Sequence, residues 1–304
     1  MNSLTRSQEV SIKDNIKCHV CDTEKVKSVY LYNYNNKSSE ILRCIECGHL
    51  FLYPVPLIDL SERTMNTISD AEFSGNVTLK FLHEHFVIGR EIRNVRKFIQ
   101  TPNPTLLDIG CGTGWTTAIW QKNGFSVTGL EPSRERSQVA KENYGLKVIN
   151  AHIEECSIPE QFDVVILRHL LEHIENPTDI LKKIKSFLKP EGLLVITMPN
   201  INCIGRYLFR ESWQWVLPWH LHFYTPKTLA RLIKRMGYEN LQLYQIPSPL
   251  WYPDSINRAL GGKIFKRGMP TVMSLILCAP IIFLGLILNL NDNMTLICRN
   301  STCA

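Results

Sequence analysis

The run Leu106-Leu107-Asp108-Ile109-Gly110-Cys111-Gly112-Thr113-Gly114 decides the fold. It reads as a buried strand that breaks into glycines before a helix. Ligands of open α/β sheets bind at the carboxyl ends of such strands, where missing side chains let them approach the backbone closely. Tight turns also use glycine, so the reading needs support from outside the run. Two acids supply it. Asp108 stands just before the glycines, where it can receive a cationic amino group, directly or through water. Glu131 ends the second strand, where a carboxylate can accept both hydroxyls of a ribose. A nicotinamide dinucleotide is the competing ligand, since its fingerprint also pairs a glycine turn with an acid about 20 residues on. The spacing opposes it: the third glycine of G-x-G-x-x-G would fall at Trp115, whose indole does not allow the helix to pack closely there.

Outward from the turn, short apolar runs alternate with helical patterns. They predict strands at 105–109, 125–130, 146–150, 162–167 and 192–198, with 241–246 and 294–299 as the last two. This alternation forces right-handed crossovers, so the fold class is α/β, a doubly wound, seven-stranded, Rossmann-like sheet. Ser133 caps a helix that ends at Gly145, Asn176-Pro177 opens another that runs to the Pro190-Glu191-Gly192 turn, and Thr225 caps a third stopped by Gly237. Before the sheet, Phe81, His85, Ile88, Ile92, Val95 and Ile99 follow helical steps within a segment from Ser61 to Gln100. The expected organisation is a small module at 1–58, a helical linker or lid at 59–101, and the main domain at 102–304.

The module carries Cys18-His19-Val20-Cys21 and Cys44-Ile45-Glu46-Cys47, two C-x-x-C knuckles with Gly48 after the second. Four thiolates at such spacing suit a tetrahedral, closed, structural Zn²⁺ site at Cys18, Cys21, Cys44 and Cys47, making the module zinc-ribbon-like. A redox pair is the alternative for either knuckle. The 304 residues are 44% hydrophobic and 20% charged, with a formal net charge of +6. That excess suits an anionic ligand or a membrane surface and lies well below a dedicated nucleic-acid binder, so no nucleic-acid partner is expected. The first residues lack the apolar core of a secretory signal, and ten cysteines without one point to a reducing, cytoplasmic setting.

Residues 105–240 resemble the class I methyltransferases through LLDIGCGTG at 106–114, VTGLEPS at 127–133, FDVVILRHLLEHIENP at 162–177, LKPEGLLVITMPN at 188–200 and HLHFYTPKTLARLIKRMGYE at 220–239. With paired cysteines in front, the chain is similar to methyltransferases of surface-polysaccharide and lipid-linked sugar pathways. More distantly it resembles the ubiquinone-pathway O-methyltransferases. The resemblance implies S-adenosylmethionine as cofactor, with Asp108, Gly110, Cys111, Gly112 and Gly114 at its methionine end and Glu131 and Pro132 at the ribose. His152 and Ile153 fall at the adenine positions, although His is an unusual residue at the first of these, and Arg168 completes the expected cofactor set. The implied acceptor is a small molecule or lipid-linked glycan; oligomeric state stays open.

Methyl transfer is an in-line displacement, so the protein mainly aligns the groups and excludes water, but a hydroxyl acceptor must lose its proton. His169 and His173 lie four apart after the fourth strand, and His220 and His222 sit in the loop Pro218 to Tyr224. Loops at this edge of the sheet form acceptor pockets, which makes His220 the expected base, with His169 and His173 as the other catalytic candidates. A hydrogen-bonded structural histidine is the alternative for each. Sugar C-methyltransferases with a similar module resemble the chain at His173 and His220, yet carry Tyr and Glu where this chain has Leu217 and Trp219. O-methylation is therefore the expected reaction; C-methylation and a non-catalytic cofactor-binding partner are the alternatives. Trp213, Trp215 and Trp219 could pack against sugar faces or simply fill the core.

From Pro270 to Leu290 the chain is almost wholly apolar. Because the strands on either side should pair in one sheet, the run must leave and return on one side of any membrane. Pro280 is expected to split it into a shallow hairpin or in-plane insertion, with Lys263, Lys266 and Arg267 facing anionic headgroups. Contact through 264–290 would make the protein peripheral on the inner face of the cytoplasmic membrane. A helix buried against the sheet or a dimer partner is the alternative.

Overall fold

The structure, a computed structural model, describes residues 3–6, 12–13, 16–34, 37–56, 80–81, 83–247, 252–261 and 271–301. The chain starts with antiparallel strands β1 (Ser3–Arg6), β2 (Ile12–Lys13), β3 (Val26–Tyr34), β4 (Lys37–Cys44) and β5 (Leu50–Tyr53). Tyr32, Ile41 and Leu52 bury one face of these strands and Val26, Leu42 and Phe51 the other, as β-branched and aromatic residues do on a pleated surface. A π-helical turn at His83–Ile88 then leads into α1 (Gly89–Arg96), which buries Ile88, Ile92 and Val95. These are the helical steps read from the sequence; the earlier part of that segment, 57–79, lies outside the described residues.

The main sheet follows, built from β6 (Thr105–Ile109), β7 (Ser126–Leu130), β8 (Lys147–Ile149), β9 (Phe162–Arg168) and β10 (Leu188–Pro199). A short strand, β11 (His222–Phe223), belongs to the other sheet, and β12 (Glu239–Ile246) and β13 (Asn293–Arg299) complete this one. The order is β12-β13-β10-β9-β6-β7-β8. Only β13 runs against its two neighbours. The central strands are buried on both faces, which is why β9 and β10 read as continuous apolar runs rather than alternating ones. All seven expected strands are present. The expected start of the fifth moves, because the preceding helix ends at Phe187 and β10 begins at once at Leu188, with Pro190-Glu191-Gly192 forming a bulge inside the strand rather than a turn before it.

Helices α2 (Trp115–Lys122), α3 (Arg134–Tyr144), α4 (Pro177–Phe187), α5 (Ile204–Phe209), α6 (Pro226–Arg235), α7 (Tyr252–Ala259) and α8 (Thr271–Leu288) occupy the connections. The expected caps form: Ser133 Oγ accepts from Arg136 N, Gly145 takes a left-handed φ of 64°, and Thr225 makes a capping box with Thr228. The apolar run is not a hairpin. It is the single helix α8, with Pro280 inside it. Its inner side packs on α5 and α7 both before and after the proline, at Cys278 and Gly285, and this holds the two halves in line. Among the described residues, no helix is long and apolar enough to cross a membrane.

Strand order reverses between β6 and β9, and in open sheets the crevice at such a point receives the ligand. The two sheets are also joined. β11 pairs with β5, His222 opposite Phe51 and Phe223 opposite Leu50, so the main chain's loop supplies the last strand of the N-terminal sheet. Cys18, Val20, Val26 and Phe51 lie in one apolar cluster with Leu107, Leu167 and Leu229. The module therefore shares the core of the main sheet.

Gly114 caps α2 at φ 84°, and a Cβ there would fall 2.6 Å from Leu146 Cδ1 and 2.8 Å from Ala140 Cβ. Gly114→Ala should combine backbone strain with overpacking and destabilise the fold by about 2–4 kcal/mol. Thermal unfolding of the purified variant checks this; an unchanged midpoint refutes the packing described.

Candidate active site

The glycine turn is held from both sides. Gly110 N and Cys111 N donate to Leu130 O at 2.7 and 3.3 Å, and Gly114 N donates to Cys111 O at 3.0 Å. Across from it, Glu131 is only 4% exposed, and its carboxylate accepts from Gly112 N and from Ser133 N, each at 2.9 Å. Asn150, which no local pattern singles out, fixes that strand end by donating to Glu131 O at 2.8 Å and Pro132 O at 2.9 Å. Gly110, at φ 76°, faces Leu170, whose Cδ2 would lie 3.4 Å from an added Cβ. The turn thus offers bare backbone beside two carboxylates, the cradle that an adenosyl-amino-acid cofactor fits.

Asp108 is buried, and Thr117 Oγ1 donates to its Oδ2 at 2.6 Å, which fixes the carboxylate while the second oxygen can receive an ammonium group. Burial pushes its pKa up to about 6, against the hydrogen bond from Thr117 and the nearby positive charge of Arg168. Arg168 itself is anchored: its Nη2 lies 2.7 Å from both carboxylate oxygens of fully buried Glu91, a partner with no local signal in the chain. Cys111 contributes backbone only. Its Sγ packs under Gly129, where an added Cβ would come within 2.5 Å. At the expected adenine positions, His152 is exposed and Ile153 is buried in the core cluster.

The histidines form a second group at the same edge. His169 follows β9 at φ 50°, donates its N–H to Thr197 O at 2.8 Å, and stacks on Trp215 with centroids 5.6 Å apart. Its Nδ1 stands 3.5 Å from Glu172 Oε1, an electrostatic contact rather than a well-aligned hydrogen bond. Glu172 is 2% exposed. Burial would raise its pKa, but His169, His173 and His220 around it hold it down at about 2. His173 Nδ1 bonds Trp219 O at 2.8 Å, and the His173 and His220 rings meet edge-on at 4.7 Å. His220, the expected base, proves to be enclosed: it is 3% exposed, stacked on Trp215, and burial followed by the like charge of His173 pushes its pKa down to about 3. One ligand atom from each of Glu172, His173 and His220 lies within 4.8 Å of the others, a spacing that suits a divalent cation or a shared proton. Trp213 is core, only 2% exposed, and does not offer a sugar platform.

His222 leaves this group. It faces the module, with Nδ1 3.2 Å from His49 Nε2 and Nε2 3.4 Å from Glu175 O. Beyond it, the four knuckle cysteines converge. Cys18 and Cys47 sulfurs are 3.6 Å apart, those of Cys21 and Cys44 are 3.5 Å apart, and all four lie within 4.8 Å of one another. Zn–S bonds of about 2.3 Å in a tetrahedron separate sulfurs by about 3.8 Å, so the residues fit zinc without rearrangement of the loops. Gly48, at φ 77°, turns the second knuckle.

Fold and site together define a class I S-adenosylmethionine-dependent methyltransferase. The chain belongs to that family, for the family model described as "Methyltransferase domain" matches residues 83–243, just over half its length. The mitochondrial ubiquinone biosynthesis O-methyltransferase of Schizosaccharomyces pombe is 34% identical over 111 residues, 34% of this chain and 40% of that protein. A ubiquinone biosynthesis O-methyltransferase of Nitrobacter winogradskyi is 29% identical over 161 residues, 48% of this chain and 60% of its own. The chain spans about half the length of the curated relatives it matches. Among solved structures, the complex of the Haloferax volcanii Trm112 methyltransferase activator with a methyltransferase matches at a TM-score of 0.51 and 12% identity, over 78% of this chain and all of that one. At such identity the likeness concerns the fold alone.

The raised pKa of Asp108 has a measurable consequence. Binding of an ammonium group needs the carboxylate ionised, so affinity for S-adenosylmethionine should be full above about pH 7 and fall roughly tenfold per unit as the pH drops below about 6. Calorimetric titrations between pH 5 and 8 test this, and Asp108→Asn should flatten the profile. Glu131→Ala should weaken binding tenfold to a hundredfold, since it removes a charged acceptor and frees Gly112 N and Ser133 N. Unchanged affinity would overturn the assignment of Glu131.

Proposed function

We propose that the protein transfers the methyl group of S-adenosylmethionine to a hydroxyl of a sugar, glycan or lipid-linked intermediate. The observation that carries this reading is the pairing, at one sheet edge, of the Asp108, Gly112 and Glu131 cradle with the Glu172 histidine cluster. When bound, the cofactor supplies an electrophilic methyl on a sulfonium. The chain's own residues do the rest: Asp108 receives the amino group, Glu131 the ribose hydroxyls, and Arg168, held by Glu91, adds positive charge for the cofactor's carboxylate.

For the base, His169 is favoured over His220. His169 keeps a side chain 31% exposed and beside the Glu172 carboxylate, so a proton taken from an acceptor hydroxyl is stabilised by that charge. A proton taken by His220 would be stranded in an enclosed site next to His173. O-methylation is supported by the relatives' names and by Leu217 and Trp219, which provide neither the Tyr nor the Glu of the C-methylating pattern. A cofactor-binding partner without activity is the second reading, and turnover separates the two.

Zinc belongs to the same proposal. Cys18, Cys21, Cys44 and Cys47 would hold it with no open position, so it would contribute stability and not chemistry. It would fix the module whose β5 receives β11, just beyond the histidine loop. The setting proposed is a reducing, cytoplasmic one.

Incubation of the protein with isotopically labelled cofactor and small glycan and lipid pools should give products heavier by one methyl. His169→Ala should lower kcat by about a hundredfold while leaving cofactor affinity unchanged, the usual range for a lost base. If His220→Ala abolishes turnover and His169→Ala barely alters it, the base is His220. Freshly purified, reduced protein should contain about one equivalent of zinc, and chelation should lower the unfolding midpoint of the whole chain, because the module shares the main core. Less than half an equivalent would refute the zinc assignment.

A further inference from the structure

The short turn after β9 abuts the glycine turn, for Leu170 packs on Gly110 and Glu172 follows two residues later. Glu172 is 2% exposed, and among the described residues neither of its oxygens has a hydrogen-bond partner; His169 Nδ1 stands off at 3.5 Å. A carboxylate sealed from water in this way needs positive charge or donors close at hand.

His173 and His220 lie beside it, and both commit a proton elsewhere. His173 Nδ1 faces Trp219 O at 2.8 Å, and a carbonyl only accepts, so that nitrogen carries the proton of the neutral ring and the lone pair falls on Nε2. His220 likewise donates to the Trp215 main chain. Burial keeps a ring such as His220 neutral, and a neutral imidazole has one N–H to give. The three side chains therefore bring lone pairs together with no proton left to share among them. One ligand atom from each lies within 4.8 Å of the others. Metal bonds of about 2.0–2.2 Å set such atoms about 3 to 4 Å apart, so small side-chain rotations close the spread. Carbonyls that accept from the outer ring nitrogens are also what fixes the tautomer and orientation of metal-bound imidazoles.

We propose that Glu172, His173 and His220 form a second metal site, for a divalent first-row transition cation such as Zn²⁺, Co²⁺ or Fe²⁺. Two imidazoles with one carboxylate favour such ions over Mg²⁺ and Ca²⁺, which take oxygen shells. Three protein ligands leave a position open, unlike the closed four-cysteine set. His169 and His173 are only half-buried, which gives that position a way in from solvent. The use of the site rests on the methyl-transfer reading. An acceptor hydroxyl in the open position is acidified by the cation and gives its proton to His169; the oxygen then bonds the methyl carbon as the bond from sulfur to that carbon breaks, leaving a neutral thioether. Glu172 has two oxygens and can serve the cation and His169 together.

The test reads metal binding and not turnover. Reduced full-length protein is dialysed against a chelator long enough to empty an open three-ligand site but not a closed four-thiolate one, then titrated with Co²⁺. About one equivalent should bind with weak visible bands and without the intense near-ultraviolet band of a cobalt thiolate. X-ray absorption of the bound cobalt should find nitrogen and oxygen neighbours, imidazole among them, and no sulfur. Glu172→Gln, which keeps the size of the side chain, should weaken Co²⁺ binding by about tenfold or more and leave affinity for S-adenosylmethionine unchanged. Should that variant fail to fold, the absorption spectrum of the parent decides alone. No Co²⁺ uptake, a shell containing sulfur, or a Glu172→Gln variant that binds Co²⁺ as tightly as the parent overturns the site. A protein that fills the site but moves no methyl refutes only the methyl-transfer reading, and an active protein that binds no Co²⁺ refutes only the site.

Discussion

A buried carboxylate that bridges two strand ends governs the cofactor edge. Glu131 accepts from Gly112 N in one loop and Ser133 N in the next, so the glycine turn after β6 and the start of α3 are fixed by a single side chain. Without an acceptor, these two amides would be orphaned at a buried edge, at a cost of about 1–3 kcal/mol each. In the proposed cofactor site the same carboxylate would also accept from the ribose hydroxyls. Under that proposal structural and ligand-binding demands would coincide in one residue, with the glycine turn on one side of it and Asn150 on the other.

The histidine cluster obeys a different rule. Glu172 is sealed from water, and a buried carboxylate is tolerated only where positive charge or donors surround it. Three histidines on two separate segments surround it, His169 Nδ1 nearest at 3.5 Å, and Trp215 stacks on two of them. The arrangement depends on the loop before α6 being carried into place, and β11 does so by joining the N-terminal sheet. In this way the cysteine knuckles reach the site: they hold β4 and β5, β5 holds β11, and the residues before β11 complete the cluster.

The antiparallel strand β13 sets where the apolar helix can be. Because β12 and β13 pair along their length, everything between them must project from one end of the sheet. That end is fixed by the parallel order of the other strands as the carboxyl end, so α8 and the candidate active site are neighbours through topology, with no direct contact needed between them.

Much of this was legible in the chain itself. Strand positions, the caps at Ser133 and Thr225, the glycine turn with Asp108 and Glu131, and the two knuckles all rest on local rules of periodicity, capping and spacing that act over a few residues. Asn150, Glu91 and Glu172 were silent, since a polar residue gains its role from partners distant in sequence, as Glu91 does from Arg168 seventy-seven positions on. Pro280 looked like a helix break because propensity is a local property, whereas packing on α5 and α7 holds α8 continuous. His220 looked like the accessible base because a loop is normally exposed, but stacking on Trp215 and the pairing of β11 with β5 enclosed it. The sequence determined which elements form and which edge binds; only tertiary packing, by deciding which side chains lose water, determined which of the polar groups at that edge remain free to act.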